Sequence, residues 1–270
     1  MNEIQSWVVP DTNITTLLKF RPRALELLEN HAIAPWALPN TGISEILRSV
    51  GVAWPDFLSE LKHLPVPKAN TDWNQERICY LLDYLYHEHK KFACVRIPAI
   101  EHALAFNASS NFMDSHYLHE ISSEWKNFAN ALEEHMREEE DLLFPEILRN
   151  DAGLRYCHVD SSFSAEMIGA FLATQGRRSE NRIHEALSRI SKILWYNEAV
   201  SPGGASAKFG VLLRSFVLEL EKHAQLENKF LFPRSLTTEK NLLGIRIDEN
   251  RRKSYVPENS MVETSFSISQ

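Results

Sequence analysis

LEEHMREEEDLLFP at residues 132–145 and LEKHAQLENKFLFP at residues 220–233 share the frame L-E-x-H-x-x-x-E-x-x-x-L-F-P. The frame fixes His135 and Glu139 in the first copy and His223 and Glu227 in the second. The residues between them differ, so the likeness is not low complexity. Positions four apart on an α-helix project from one face, one turn apart. Each copy therefore offers an imidazole and a carboxylate to the same point. If the two helices face each other, two imidazoles and two carboxylates converge, which is how carboxylate-bridged dimetal sites are built in helix bundles. A glutamate with two oxygens can span two metals, and imidazole suits iron as a terminal ligand.

The flanking residues fit a core-facing reading. Leu132, Leu143 and Phe144 surround the first pair, and Leu220, Leu231 and Phe232 the second. Ionisable groups in an apolar stripe are costly unless compensated, and a metal ion compensates them. A single H-x-x-x-E is most often a solvated ion pair, and Glu133, Glu134, Glu138 and Glu140 read as an acidic solvent face. Two copies locked to the same L-F-P favour a metal framework. The prolines are expected to end or kink each helix at the same distance from the ligands.

Outward from the repeat, the chain reads as all-α. Residues 74–104, 116–148, 179–195 and 207–232 carry helical periodicity, the first bent near Pro98. Four such helices are the signature of a four-helix bundle. The bundle domain is expected over 71–236, with an insertion near 149–178 that holds a short helix of its own. Residues 1–70 read as a small helical N-terminal domain. There ITTLLKFRPRALELLENH spaces its leucines helically, and ISEILRSVG and WPDFLSELKHL supply two more short helices. PVPKANTDW then reads as a linker. From Thr237 the chain is polar and reads as a loosely held tail over 237–270.

Composition excludes several classes. The chain has 270 residues, 44% hydrophobic and 24% charged, as in ordinary soluble domains. A net charge of -7 gives no footprint for nucleic acid or an anionic membrane. No apolar run reaches the roughly 20 residues of a membrane span, and the start, MNEIQSWVVPDTN, has no secretory pattern. Three scattered cysteines, Cys79, Cys94 and Cys157, argue against a disulfide framework or a cysteine-rich zinc site, and for a reducing cytoplasm. Cys79 and Cys94 read as buried small apolar residues. His31, His63, His102 and His158 carry no spacing argument. A ferritin-type oxidase is disfavoured because E-x-x-H is missing from the paired helices.

The paired motif resembles the hemerythrin-like domain of the repair-of-iron-centres family, the di-iron iron–sulfur cluster repair proteins. TLLKFRPRALELLENHAI, GISEILRSVGVAWPDFLSELKHL and TDW followed by LLDYLYHEH are similar to that family's N-terminal domain and first bundle helix. The resemblance spans about residues 10–235 and implies a hemerythrin-like four-helix bundle after a small helical domain. It further implies two non-haem iron ions bridged by Glu139 and Glu227, with His135 and His223 as terminal ligands. The function it implies is recovery of iron–sulfur clusters after nitrosative or oxidative stress in the cytoplasm. That is metal-binding repair rather than enzymatic turnover, with damaged iron–sulfur proteins as partners and O2 or NO as ligands at iron. No nucleic acid or membrane partner is implied, and a homodimer is left open. The alternatives are a diverged hemerythrin-like regulatory module with a partial metal site or none, or an O2/NO sensor.

Further ligands follow from the same resemblance. The family's first-helix histidine position falls on Lys90, beside His89. Adjacent helix positions differ by about 100°, so His89 reaches the centre through a shift or a helix irregularity. Ahead of the second helix the position falls on Asn111, with His116, or alternatively His119, just beyond. The third-helix E-H reads Glu180-Asn181 here, with His184 one turn later. The family's N-terminal Cys-Cys pair has no counterpart in AIAPWALPN, which removes a thiol step from the expected chemistry.

Overall fold

The computed structural model describes residues 8–35, 41–65, 68, 71–109, 115–156, 166–200 and 205–254. Among these, side chains are described except at 108–109, 115–117, 194–200, 205–208 and 248–254. The fold is all-α.

The N-terminal residues form four short helices, α1 (Ile14–Phe20), α2 (Ala24–Asn30), α3 (Ile43–Ser49) and α4 (Trp54–His63). The sequence suggested one helix where α1 and α2 lie. Pro22 divides them, because it lacks an N–H and bars Arg21 from the α conformation. Asn13 caps α1 by accepting the Thr16 N–H at 2.8 Å. Ile14, Leu17, Leu28, Ile43, Leu47, Phe57 and Leu61 close a core of their own.

This module is pinned to the rest of the chain by charge. Arg21 donates to Asp83 at 3.1 Å with both side chains buried. Glu29 binds Arg77 and Arg155, Tyr80 donates to Glu26, and the Arg23 guanidinium lies 3.8 Å from the Tyr80 ring centre.

Beyond it, four long helices each consist of two α segments joined by one π turn. They are α5 (Ile78–Lys91) and α6 (Ile97–Ser109); α7 (Ser115–Glu138) and α8 (Phe144–Arg155); α9 (Met167–Phe171) and α10 (Arg177–Val200); α11 (Ala205–Leu226) and α12 (Phe232–Ser254). The π turns are Phe92–Arg96, Glu139–Leu143, Leu172–Gly176 and Glu227–Leu231. Three of them have a proline two residues further on: Pro98, Pro145 and Pro233. In a regular α-helix a proline ring collides with the carbonyl four residues back. Here the N–H just before each proline reaches back five residues instead, Ile97 to Phe92, Phe144 to Glu139 and Phe232 to Glu227. The wider turn makes room for the ring, so the helices continue past these prolines.

The helices also outrun the sequence reading. The second reaches Arg155, and the third starts at Met167, so the expected insertion shrinks largely to residues 157–165, outside those described. The first starts at Ile78 rather than near residue 74. The expected tail is helical to Ser254. Its polar sequence hid one buried seam. Leu242 is buried, and the buried Glu239 accepts the N–H groups of Ile168 and Gly169, fixing the start of α9.

α7 packs on α10 and α6, α8 on α12 and α5, and α11 on α6 and α10. Their shared interior has two apolar clusters. One holds Phe92, Trp125, Phe128, Phe209 and Phe216, and the other Leu82, Leu85, Phe144, Ile147, Leu231 and Phe232. Between them lies a buried polar layer.

Candidate metal centre

The polar layer is made by His89, Glu139, His223 and Glu227. Their ligand atoms all lie within 4.8 Å of one another. All four residues are buried, from 1% exposed for His89 and Glu139 to 5% for His223. His89 Nε2 and His223 Nε2 are 3.0 Å apart. Glu139 Oε2 is 3.4 Å from His89 Nε2, and Glu227 Oε1 is 2.9 Å from His223 Nε2. The apolar clusters grip the imidazoles from both sides. Phe144 stacks on His89 with ring centres 5.5 Å apart, and Phe92 meets His223 edge-on at 5.6 Å.

Backbone geometry explains this convergence. Both glutamates are the first residue of a π turn, and His89 sits one turn before another. The Phe92–Arg96 turn is the helix irregularity that His89 needed between itself and Pro98. π turns gather at functional sites because they re-aim side chains while keeping the helix continuous.

His135 stands beside the group rather than within it. Its Nε2 faces Glu139 Oε1 at 3.6 Å, and its Nδ1 lies 3.0 Å from Ser179 Oγ. The Ser179 hydroxyl donates to the Gln175 and Gly176 carbonyls, so its oxygen accepts the His135 Nδ1–H. That leaves the His135 Nε2 lone pair aimed at Glu139.

The electrostatics suit a cation. Burial, then the neighbouring Glu227, push the Glu139 carboxyl well above the usual range. Burial is the largest influence on Glu227 and acts to raise it, but His223, His135 and His89 together hold it below its usual value. The two carboxylates are thus pushed apart, Glu139 upward and Glu227 downward. Burial, followed by His223, sets His89 well below the ordinary histidine value, and burial lowers His135. Both imidazoles are neutral at pH 7, with lone pairs free for a metal. Glu139 Oε2 is buried with no hydrogen-bond partner among the described residues. A buried, unpartnered carboxylate oxygen facing imidazole nitrogens fits a divalent cation. Two imidazoles and two carboxylates are a donor set for a first-row transition metal.

A cavity of about 400 Å³ reaches the layer from the side of α10 and α11. His135, His223 and Glu227 close its inner end, and Leu132, Ile183 and Val217 form part of its wall. Glu180, Asn181 and His184 also line it and are exposed. Burial and then Glu227 raise the Glu180 carboxyl.

The remaining sequence candidates fall elsewhere. His184 lines the cavity outside the four-residue group, and His119 is exposed on α7. His116 lies on α7 with its side chain outside those described. Cys79 is buried, and burial pushes its thiol up to about 12, whereas Cys94 is exposed against expectation. Glu140, expected on the solvent face, has a side chain only 11% exposed that meets His89. No spacing rule would have found that contact. Comparison with known proteins returns no matching family model and no matching curated relative.

Proposed function

We propose that this chain is a non-haem iron protein whose centre is held by His89, Glu139, His223 and Glu227, with His135 as a further ligand. Glu139 and Glu227 are the bridging carboxylates of a two-iron centre in this reading. His89, His223 and His135 would supply the imidazole ligands. The observation that carries the proposal is the approach of the two Nε2 atoms across the buried glutamates. Bound iron supplies redox chemistry and a coordination position for a small molecule. The chain's own part is to hold the ions dry between two apolar clusters and to leave the cavity as a route for O2 or NO.

The resemblance of the paired motif to iron–sulfur cluster repair proteins supports a role for this centre in recovery from nitrosative or oxidative stress, in the cytoplasm, without enzymatic turnover. Damaged iron–sulfur proteins are the partners in that reading. The missing Cys-Cys pair removes a thiol from the proposed chemistry. A second reading, a single-ion site in a regulatory module, is favoured by one observation. The third helix offers Asn181 and an exposed His184 where a second ion needs an imidazole.

Anaerobic Fe(II) reconstitution followed by metal analysis tests the proposal. Two irons per chain in the native protein, lost in Glu139→Ala/Glu227→Ala, support it. One iron supports the second reading, and none rejects both.

A further inference from the structure

Three imidazoles stand at the centre, and their outward-facing nitrogens are treated differently. His135 Nδ1 meets a serine hydroxyl. His223 Nδ1 has no hydrogen-bond partner among the described residues. His89 Nδ1 lies 3.1 Å from Glu140 Oε1, and the other oxygen of that carboxylate takes the Lys90 ammonium at 3.4 Å. Consecutive residues of α5, His89 and Lys90, thus grip one carboxylate. Glu140 follows Glu139 directly, so two consecutive residues of the second helix address the two sides of His89. Glu139 faces its Nε2, and Glu140 faces its Nδ1. The repeat does not require this: the second copy has Asn228 at the same place, exposed and donating back to the Ala224 carbonyl at 3.0 Å.

We infer that Glu140 is a positioning residue for the metal centre, fixing the tautomer and ring orientation of His89 and raising its strength as a ligand. The inference rests on the metal-binding reading above. A carboxylate that accepts Nδ1–H keeps the proton off Nε2 and leaves that lone pair for the ion. It also lends the ring negative charge, which a serine hydroxyl cannot do. Lys90 fixes the carboxylate rotamer; its ammonium also lies 4.9 Å from the Tyr86 ring centre, which restrains it in turn. The N-terminal module reaches the same place, since Lys19 of α1 pairs with Asp141, the next residue along. The module thus buttresses the turn that carries both Glu139 and Glu140.

The test is anaerobic titration of the full chain with Co(II), followed by its d–d absorption, in the native protein, Glu140→Gln, Glu140→Ala and Lys90→Met. Glu140→Gln keeps an acceptor oxygen but loses the charge, whereas Glu140→Ala loses both. Carboxylates backing a ligating histidine are worth about 10–100-fold in affinity. We expect Glu140→Gln to weaken Co(II) binding by about 10-fold and shift the d–d bands, with an unchanged metal-free melting midpoint. Glu140→Ala should lose more, and Lys90→Met less. Native-like affinity and bands in all three variants would overturn the inference while leaving the metal site standing. A loss that only tracks a fall in the metal-free midpoint overturns it as well, by reducing Glu140 to a structural part. A native chain that takes no Co(II) removes the metal-binding reading itself, and this inference with it.

Discussion

His89 Nε2 and His223 Nε2 lie 3.0 Å apart in the buried interior, on the first and last of the four long helices. The Nδ1 proton of His89 points to Glu140, so its Nε2 presents a lone pair to the other ring. With Glu139 and Glu227 closing the same space, the arrangement concentrates ligand atoms around one point and could hold a metal ion.

Metal loading should depend on pH with a definite sign. The Glu139 carboxyl is raised first by burial and then by Glu227, so it holds its proton to higher pH than an ordinary glutamate does. Binding must displace it, so affinity rises with pH by about tenfold per unit and levels off above the raised Glu139 value. His89 and His135 are already neutral near pH 7 and do not compete there. Isothermal titration with Co(II) in buffers of differing ionisation enthalpy counts the released proton directly.

Removing the buried carboxylate should stabilise the metal-free fold while destroying the site. Glu139 ionises more readily unfolded than folded, so above the unfolded value of about 4.3 it costs the native state stability. Glu139→Gln should therefore raise the metal-free melting midpoint at pH 7 by about 2–4 °C, equivalent to about 1 kcal/mol at this size. The gain should vanish below about pH 4, where both states hold the proton. Thermal melts across that range read both arms.

Docking of the N-terminal module hangs on a buried charge pair. Arg21 and Asp83 are 4% and 0% exposed at 3.1 Å, and His87 Nε2 adds a contact to the same guanidinium at 3.3 Å. Arg21→Met strands a buried carboxylate and should cost about 3–5 kcal/mol. The double change Arg21→Met/Asp83→Leu should restore most of that loss. Denaturant unfolding of the three proteins gives the comparison.

Beneath the centre, Phe216 contacts Phe92, Trp125 and Phe128 edge-on, at ring-centre distances of 5.5–5.7 Å. Phe216→Ala should cost about 3–5 kcal/mol. It should also weaken metal retention, because Phe92 packs against His223. Melting with and without Co(II) separates the two effects.

The repeat at 132–145 and 220–233 was enough to place two glutamates and His223 near one another, because helical spacing is a local rule. It could not rank His135 below His89. That ordering depends on the π turn at Phe92–Arg96, which rotates one stretch of helix against the next and leaves no mark in hydrophobic periodicity beyond Pro98. The three prolines were legible, but the π turn that accommodates each of them was not. Residues 237–254 looked unstructured because their helix is polar over most of its surface. Among its described side chains, Leu242 and Glu239 are buried. Glu140 escaped notice for a related reason: one acidic residue in an acidic run is distinguished only by what lies opposite it.

The most direct measurement is the metal content of the chain, by inductively coupled plasma mass spectrometry after anaerobic Fe(II) reconstitution and desalting. The native protein should hold close to two irons, and Glu139→Ala/Glu227→Ala should hold none. Retention of far less than one metal ion per native chain, with Fe(II) or with Co(II), would contradict the assignment of this buried layer as a metal centre.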